Sequence, residues 1–163
     1  MNKFLIGLLI LCSFTACAQK HKENSEILAN LNTISSNLVL LNNHESIIPL
    51  KSLEKLTIAS VALSFPNANP FDSLLNKYAK ITSYNSGNYS NAVNLNDLED
   101  DLKYFNTVII ALPSSATNDA RNINFIQSLS KSKQVIIALF GTGGNLSAFD
   151  MVKAPIVWSD QDN

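Results

Sequence analysis

Three runs of consecutive apolar residues constrain the fold of this chain more than any other feature. They are residues 56–63 (LTIASVAL), 107–112 (TVIIAL) and 134–140 (QVIIALF). Each run is rich in β-branched residues and is too short for an ordinary helix. A strand that is apolar at consecutive positions is covered on both faces, as in a parallel sheet. The runs therefore predict buried strands of an α/β protein.

Helix signals separate these strands. Helices are expected at residues 70–79, 94–105 and 119–131, with a short one at 145–152, and two further strands at 80–84 and 156–158. This alternation predicts a doubly wound, mostly parallel sheet of the Rossmann or flavodoxin-like kind. Such a sheet ordinarily continues beyond its central strands, so the domain is expected to be incomplete at its C-terminus.

The segment before the first buried strand has a helical pattern. Apolar residues recur at spacings of three and four through residues 25–41, and two asparagines and Pro49 end the pattern. A helix is therefore expected over residues 25–41.

The first residues have the features of an export signal. Lys3 precedes an apolar run at residues 4–11, which is far shorter than the roughly 20 residues of a membrane-spanning helix. Two cleavage patterns fit residues 13–20 (SFTACAQK). A small residue before Cys17 is typical of a lipoprotein signal, whereas Ala16-Cys17-Ala18 also fits ordinary signal peptidase cutting before Gln19. We favour the first, which makes residues 1–17 a lipoprotein signal peptide, 18–24 a tether and 25–163 the folded domain.

Lipid on Cys17 would place the protein in a bacterial cell envelope and attach it to a membrane through that anchor alone. Ala18 after the cysteine is typical of outer-membrane sorting; the alternative is a periplasmic or secreted protein. The formal net charge is −1, and the sequence contains no stripe of basic residues, so its charge does not favour nucleic-acid binding. Hydrophobic residues make up 46% of the chain and charged residues 15%, which favours a folded core over disorder.

Several stretches resemble a known family. NLVLLNNHESIIPL (residues 37–50), LEKLTIASVAL (53–63), NTVIIALPSS (106–115), SKQVIIALFGTGGNLSAFD (132–150) and APIVWSDQDN (154–163) occur in this order. Together they resemble the C-terminal α/β domain of glycoside hydrolase family 3. The greatest similarity is to the bacterial β-N-acetylhexosaminidase branch, whose members are often envelope lipoproteins. The resemblance covers about residues 30–163.

The resemblance also implies what this segment lacks. The family's aspartate nucleophile, and the histidine acid/base of this branch, lie in a (β/α)8 barrel that the matched stretches do not include. Asn42 stands where the family usually has lysine, and the loop at residues 113–121 (PSSATNDAR) lacks the glutamate of glucoside-cleaving members. No catalytic residue, cofactor or metal ligand is therefore assigned. We expect a non-barrel domain that is inactive alone; the alternative is a non-enzymatic envelope module that binds carbohydrate or a barrel-bearing partner.

Asp160 and Asp162 are the candidate ligand contacts. They follow a predicted strand, at the edge where α/β proteins bind ligands, and their spacing of two puts both on one side of an extended chain. Solvated acids are the alternative interpretation. Weaker candidates are the loop at residues 141–145 (GTGGN) for a nucleotide phosphate, and Trp158 and Tyr84 for stacking on a sugar. A permissive turn and core aromatics are the respective alternatives.

Overall fold

The computed structural model describes residues 37–65, 70–89 and 95–160. The chain divides into two compact units, Met1–Asn37 and Leu38–Asn163. The strands of the second unit are β1 (Leu38–Leu41), β2 (Ile58–Ala62), β3 (Ile81–Asn85), β4 (Thr107–Pro113), β5 (Gln134–Phe140) and β6 (Ile156–Ser159). Its α-helices are α1 (Pro70–Leu75), α2 (Asn96–Asp101) and α3 (Ala120–Ser130).

Within the described residues the strands form one six-stranded mixed sheet in the order β1-β6-β5-β4-β2-β3. Strands β2 to β6 run parallel to their neighbours, and β1 runs antiparallel to β6. From β2 the chain moves outward to β3, crosses back to β4 and then continues in the opposite direction through β5 to β6. The prediction of an α/β fold around a largely parallel sheet is confirmed at this level.

The larger core lies on one face of the sheet. Alternate residues of the central strands, among them Val61, Ile110 and Ile137, are fully buried there. Helix α3 supplies its apolar side to the same core, with Ile126 and Leu129 also fully buried. Burying a side chain of this size contributes about 1.5–3 kcal/mol relative to exposing it. The alternate apolar residues of the central strands therefore stabilise this face of the sheet.

The opposite face of the sheet has a smaller core. Ile58, Ile109 and Ile136 are buried under α1 and under the extended segment between β1 and β2. Helix α1 contributes Phe71, and its Asp72 carboxylate accepts a hydrogen bond from the hydroxyl of the fully buried Ser60 on β2. This contact satisfies the one polar side chain of β2.

The helix expected over residues 25–41 is wrong at its C-terminal end, and its first part, residues 25–36, lies outside the described residues. Leu38–Leu41 is a strand, and its register pairs Leu41 with Ile156 and Val39 with Trp158. The periodic leucines permitted a helix, but pairing with β6 outweighed that local preference. Asn42 fixes the end of the strand, because its side-chain amide donates to the carbonyls of Val152 and Ala154 at 2.8 and 2.9 Å.

The remaining elements lie where they were predicted, but two of the helices differ from the prediction in length or type. The helix expected over residues 94–105 is α2 followed by a 3-10 turn at Leu102–Tyr104. That expected over 145–152 is only a 3-10 turn at Leu146–Phe149. No helix among the described residues is long and apolar enough to cross a bilayer. Cys17, Asp162 and the tether lie outside the described residues.

Candidate functional site

A small crevice opens at the carboxyl ends of β2, β3 and β4. Its lining comes from Ser64 after β2, from Ser86 and Gly87 after β3, and from Arg121 and Asn122 on α3, with Leu95 as an apolar wall. The volume is about 140 Å³. Strand order reverses here, since the chain leaves β2 in one direction and β4 in the other. In open α/β sheets such a reversal is where ligands bind.

Hydrogen bonds fix the polar groups of the crevice. The Asn122 side chain is buried and donates to the Ser64 hydroxyl at 3.0 Å and to the Ala116 carbonyl at 3.1 Å. The backbone N–H of Ser64 donates to the Ser86 hydroxyl oxygen at 3.0 Å. Ser64 has a φ of 62°, in the left-handed region that a residue other than glycine rarely adopts. The crevice is thus a preformed group of hydroxyl and amide functions.

An ion pair lies beside this crevice at the start of α3. Asp119 caps the helix by accepting from the Arg121 backbone N–H at 2.9 Å, and the Arg121 Nη2 donates to its carboxylate at 2.6 Å. Hydrogen bonds from the Arg121 side chain and backbone lower the pKa of the Asp119 carboxyl. The carboxylate is therefore ionised at neutral pH, and it has no proton to give to a leaving group.

The glycine loop after β5 packs tightly against the end of β4. The Gly141 carbonyl accepts from the Ser114 hydroxyl at 2.7 Å and from the Trp158 indole N–H at 2.9 Å. The Asn145 backbone N–H donates to the Thr117 hydroxyl at 2.8 Å. The loop leads into the four-residue 3-10 turn and not into an α-helix, so the helix N-terminus that a phosphate loop requires is missing here. The geometry favours the turn interpretation over nucleotide binding.

The two candidate stacking aromatics belong to the core. The Tyr84 ring packs edge-on against Phe105, with 5.9 Å between ring centroids. Trp158 packs against the larger core and directs its N–H to Gly141. Both rings are partly buried and pack against the larger core, which favours the core interpretation.

Of the two candidate acids, one is placed. Asp160 is exposed directly after β6, and Asp162 lies outside the described residues, so their predicted juxtaposition stays a prediction. His44 is exposed in a turn after β1. Within residues 37–65, 70–89 and 95–160, no three His, Cys, Asp or Glu side chains form a group that could hold a metal ion.

Sequence reasoning missed Ser64, Ser86 and Asn122. Small polar residues directly after two successive strands were the available signal, because parallel strands end at the same edge of a sheet. Asn122 carried no such signal, since an asparagine within a helix is ordinarily solvated. Only the packing of α3 onto the larger core of the sheet brings it into the crevice.

Comparisons with known proteins found similar solved structures but no matching sequence family. No family profile matches the chain, and no curated protein sequence does. One similar structure is a fungal multi-domain glycoside hydrolase family 3 β-N-acetylglucosaminidase, in which a GCN5-related glucosamine N-acetyltransferase region exists. Its sequence is 17% identical to this chain, and the two structures match with a TM-score of 0.61 over 76% of this chain. Another is a family 3 β-N-acetylglucosaminidase from a Paenibacillus species, 12% identical, with a TM-score of 0.52 over 66% of this chain.

The fold occurs in both of these enzymes. The chain corresponds to only 14% of the first solved chain and 23% of the second. At such identities the likeness concerns the backbone arrangement alone. The backbone likeness does not assign the activities of those enzymes to this chain.

Proposed function

We propose that this chain is the non-barrel α/β domain of a β-N-acetylhexosaminidase-like member of glycoside hydrolase family 3, of the bacterial branch, and that it does not cleave glycosides by itself. The observation that supports this is the common fold over 76% of the chain with a family 3 β-N-acetylglucosaminidase. The five family-like stretches between residues 37 and 163 occur in the order expected for that domain. We propose further that its sheet corresponds to the doubly wound sheet of the C-terminal domain in that family.

The acidic residues at the edge of the sheet support the proposal that the chain does not cleave glycosides by itself. Retaining glycosidases need a carboxylate nucleophile and a protonated acid about 5 Å apart across the sugar. Asp119, the acid beside the crevice, is held ionised by Arg121. Asp160 lies at the end of a different strand, β6, which is separated from β4 by β5. Asp119 therefore cannot supply the proton that the leaving-group oxygen requires.

Activity measurements test this directly. The purified mature chain should release no nitrophenol from an aryl β-N-acetylglucosaminide above a boiled control. Turnover that disappears in Asp160→Asn or Asp162→Asn would overturn the proposal. Sequencing the DNA around the gene is an independent test, since barrel-coding sequence beside it is expected for a domain of a larger enzyme.

A second candidate function rests on the crevice. Its hydroxyl and amide groups can both donate and accept hydrogen bonds, as sugar hydroxyls require, and its location at the strand-order reversal favours a ligand. On this proposal the chain is a non-enzymatic carbohydrate-binding module. Calorimetric titration with N-acetylglucosamine and chitobiose should then show binding that Ser86→Ala weakens and Ser132→Ala, at the opposite end of the sheet, leaves unchanged. Absence of binding at millimolar sugar would exclude this candidate.

Location is a further part of the proposal. The lipoprotein pattern at Cys17 supports an anchored protein of the bacterial envelope, with the outer membrane as its destination. Ordinary signal peptidase cleavage, giving a periplasmic or secreted chain, remains the alternative.

A further inference from the structure

A groove between α2 and α3 adjoins the crevice at the strand-order reversal. Its volume is about 190 Å³, and its lining residues are Leu95, Asn96, Glu99, Arg121, Asn124, Phe125 and Ser128. The four that belong to α3 are spaced at i, i+3, i+4 and i+7, so they lie on one face of that helix. Leu95 and Arg121 line the crevice as well as the groove. The two cavities are therefore neighbours that meet at these two side chains.

Neither cavity alone has the size of an ordinary ligand site. Pockets that enclose small molecules usually have volumes of about 300–1,000 Å³. The crevice has about 140 Å³ and the groove about 190 Å³, so each falls below this range, whereas the two together reach its lower end. A ligand that enters the crevice is therefore expected to extend into the groove.

The lining of the groove combines polar and apolar groups. Asn96 and Asn124 are exposed, and their side-chain amides can both donate and accept hydrogen bonds, as sugar hydroxyls require. The half-buried Leu95 and the buried Phe125 supply the apolar part of the lining, against which the C–H face of a sugar ring can pack. The groove thus offers the same kind of chemistry as the crevice.

A side-chain contact joins the two helices at the end of the groove away from the crevice. The Ser128 hydroxyl donates a hydrogen bond to the Glu99 carboxyl oxygen at 2.7 Å. Arg121 lies at the crevice end of the same helix face, and the rise of α3 from Arg121 to Ser128 is about 10 Å. This distance matches the length of two linked sugar rings, so the contact limits how long a bound glycan can be.

We propose that the crevice and the groove together bind a disaccharide, with one ring in the crevice and the second in the groove. This inference rests on the second candidate function, carbohydrate binding by the crevice, and adds the length of the ligand and the residues that hold its second ring. Asn124 is the residue that distinguishes the two positions, because it lines the groove and not the crevice.

Calorimetric titration of the mature chain with N-acetylglucosamine, chitobiose and chitotriose tests the proposed length. Chitobiose should bind about tenfold more tightly than the monosaccharide, which is the gain that one or two net hydrogen bonds provide. Chitotriose should bind no more than about twofold more tightly than chitobiose, because its third ring lies beyond the Ser128–Glu99 contact. Equal affinities for the first two sugars, or a further tenfold gain with the third, would overturn this inference and leave the crevice candidate standing. Absence of binding by all three would overturn both.

Variants on one helix separate the two ring positions. Asn124→Ala should remove most of the gain for chitobiose and leave the affinity for N-acetylglucosamine unchanged, and Asn124→Trp, which would fill the groove, should abolish the gain. Gln127→Ala is the matched control, since this residue lies on the same helix but lines neither cavity. Thermal melts establish that each variant is folded. Equal losses for both sugars in a folded Asn124→Ala variant would overturn the assignment of the second ring to the groove.

Discussion

The Tyr89 hydroxyl donates a hydrogen bond to the Asp101 carboxylate at 2.8 Å, joining the segment after β3 to the end of α2. Partial burial and this hydrogen bond raise the pKa of Tyr89 to about 12, from 10.0. The folded state therefore holds the phenol proton more tightly than the unfolded state does.

The Tyr89 contact predicts a loss of stability in alkali. Because the folded-state pKa is the higher one, the stabilisation is fully present below pH 10 and is lost as the pH rises through about 12. Tyr89→Phe should lower the free energy of unfolding at pH 8 and reduce its dependence on pH between 10 and 12. Urea melts at several pH values measure both. An unchanged alkaline slope in Tyr89→Phe would show that another group is responsible.

Asp119 is expected to stabilise α3 as its N-cap. Asp119→Ala should cost about 0.5–2 kcal/mol, whereas Asp119→Asn, which keeps an accepting oxygen, should cost less. Its pKa is lowered in the folded state, so its stabilisation is present above the ordinary value of 3.8 and is lost as the pH falls through the lower folded value. Thermal melts between pH 2 and 7 measure this. Equal losses in the Ala and Asn variants would contradict the capping role.

Gly144 is expected to tolerate no side chain. A Cβ atom there would lie 2.9 Å from the Ser114 Cβ and 3.1 Å from the Ser114 carbonyl oxygen. Gly144→Ala should therefore destabilise the protein by about 1–3 kcal/mol, the usual range for overpacking. Gly143→Asn is the matched control, because nothing lies within 4 Å of its Cβ position and asparagine accepts its φ of 78° better than most residues. A larger loss in the control would mean that backbone conformation limits this loop.

Cys17 is predicted to carry lipid. Cells grown with an alkyne fatty acid should yield a labelled protein, and Cys17→Ala should remove the label. Secretion of an unlabelled chain that begins at Gln19 would establish ordinary signal peptidase cleavage instead.

The buried strands were predictable because their signal is local. Residues 134–140 are apolar at nearly every position, and they form a strand with those bounds in the structure. The segment around Leu38 was misassigned, because its leucines fit both a helix and a strand. The decision between the two depends on β6, more than 110 residues further along the chain. Non-local pairing of this kind leaves no trace in a short window of sequence.

The candidate site was less predictable than the fold. Asp160 could be placed after a strand from the sequence alone, since the strand itself was recognisable. The Ser64–Asn122 contact joins residues 58 positions apart and depends on how α3 packs. Loop conformations such as the left-handed backbone of Ser64 depend on tertiary contacts. The crevice could therefore not be predicted from the sequence alone.

The pairing of β1 with β6 also bears on when folding can finish. A chain emerges from the ribosome N-terminus first, at about 5–20 residues per second. Leu41 is made early, but its partner Ile156 and the two carbonyls that hold Asn42 are made more than 100 residues later. Until then the leucines of β1 have no partner strand. A mature chain shortened to end before residue 150 should therefore leave these leucines exposed and bind an apolar dye more strongly than the full-length chain does.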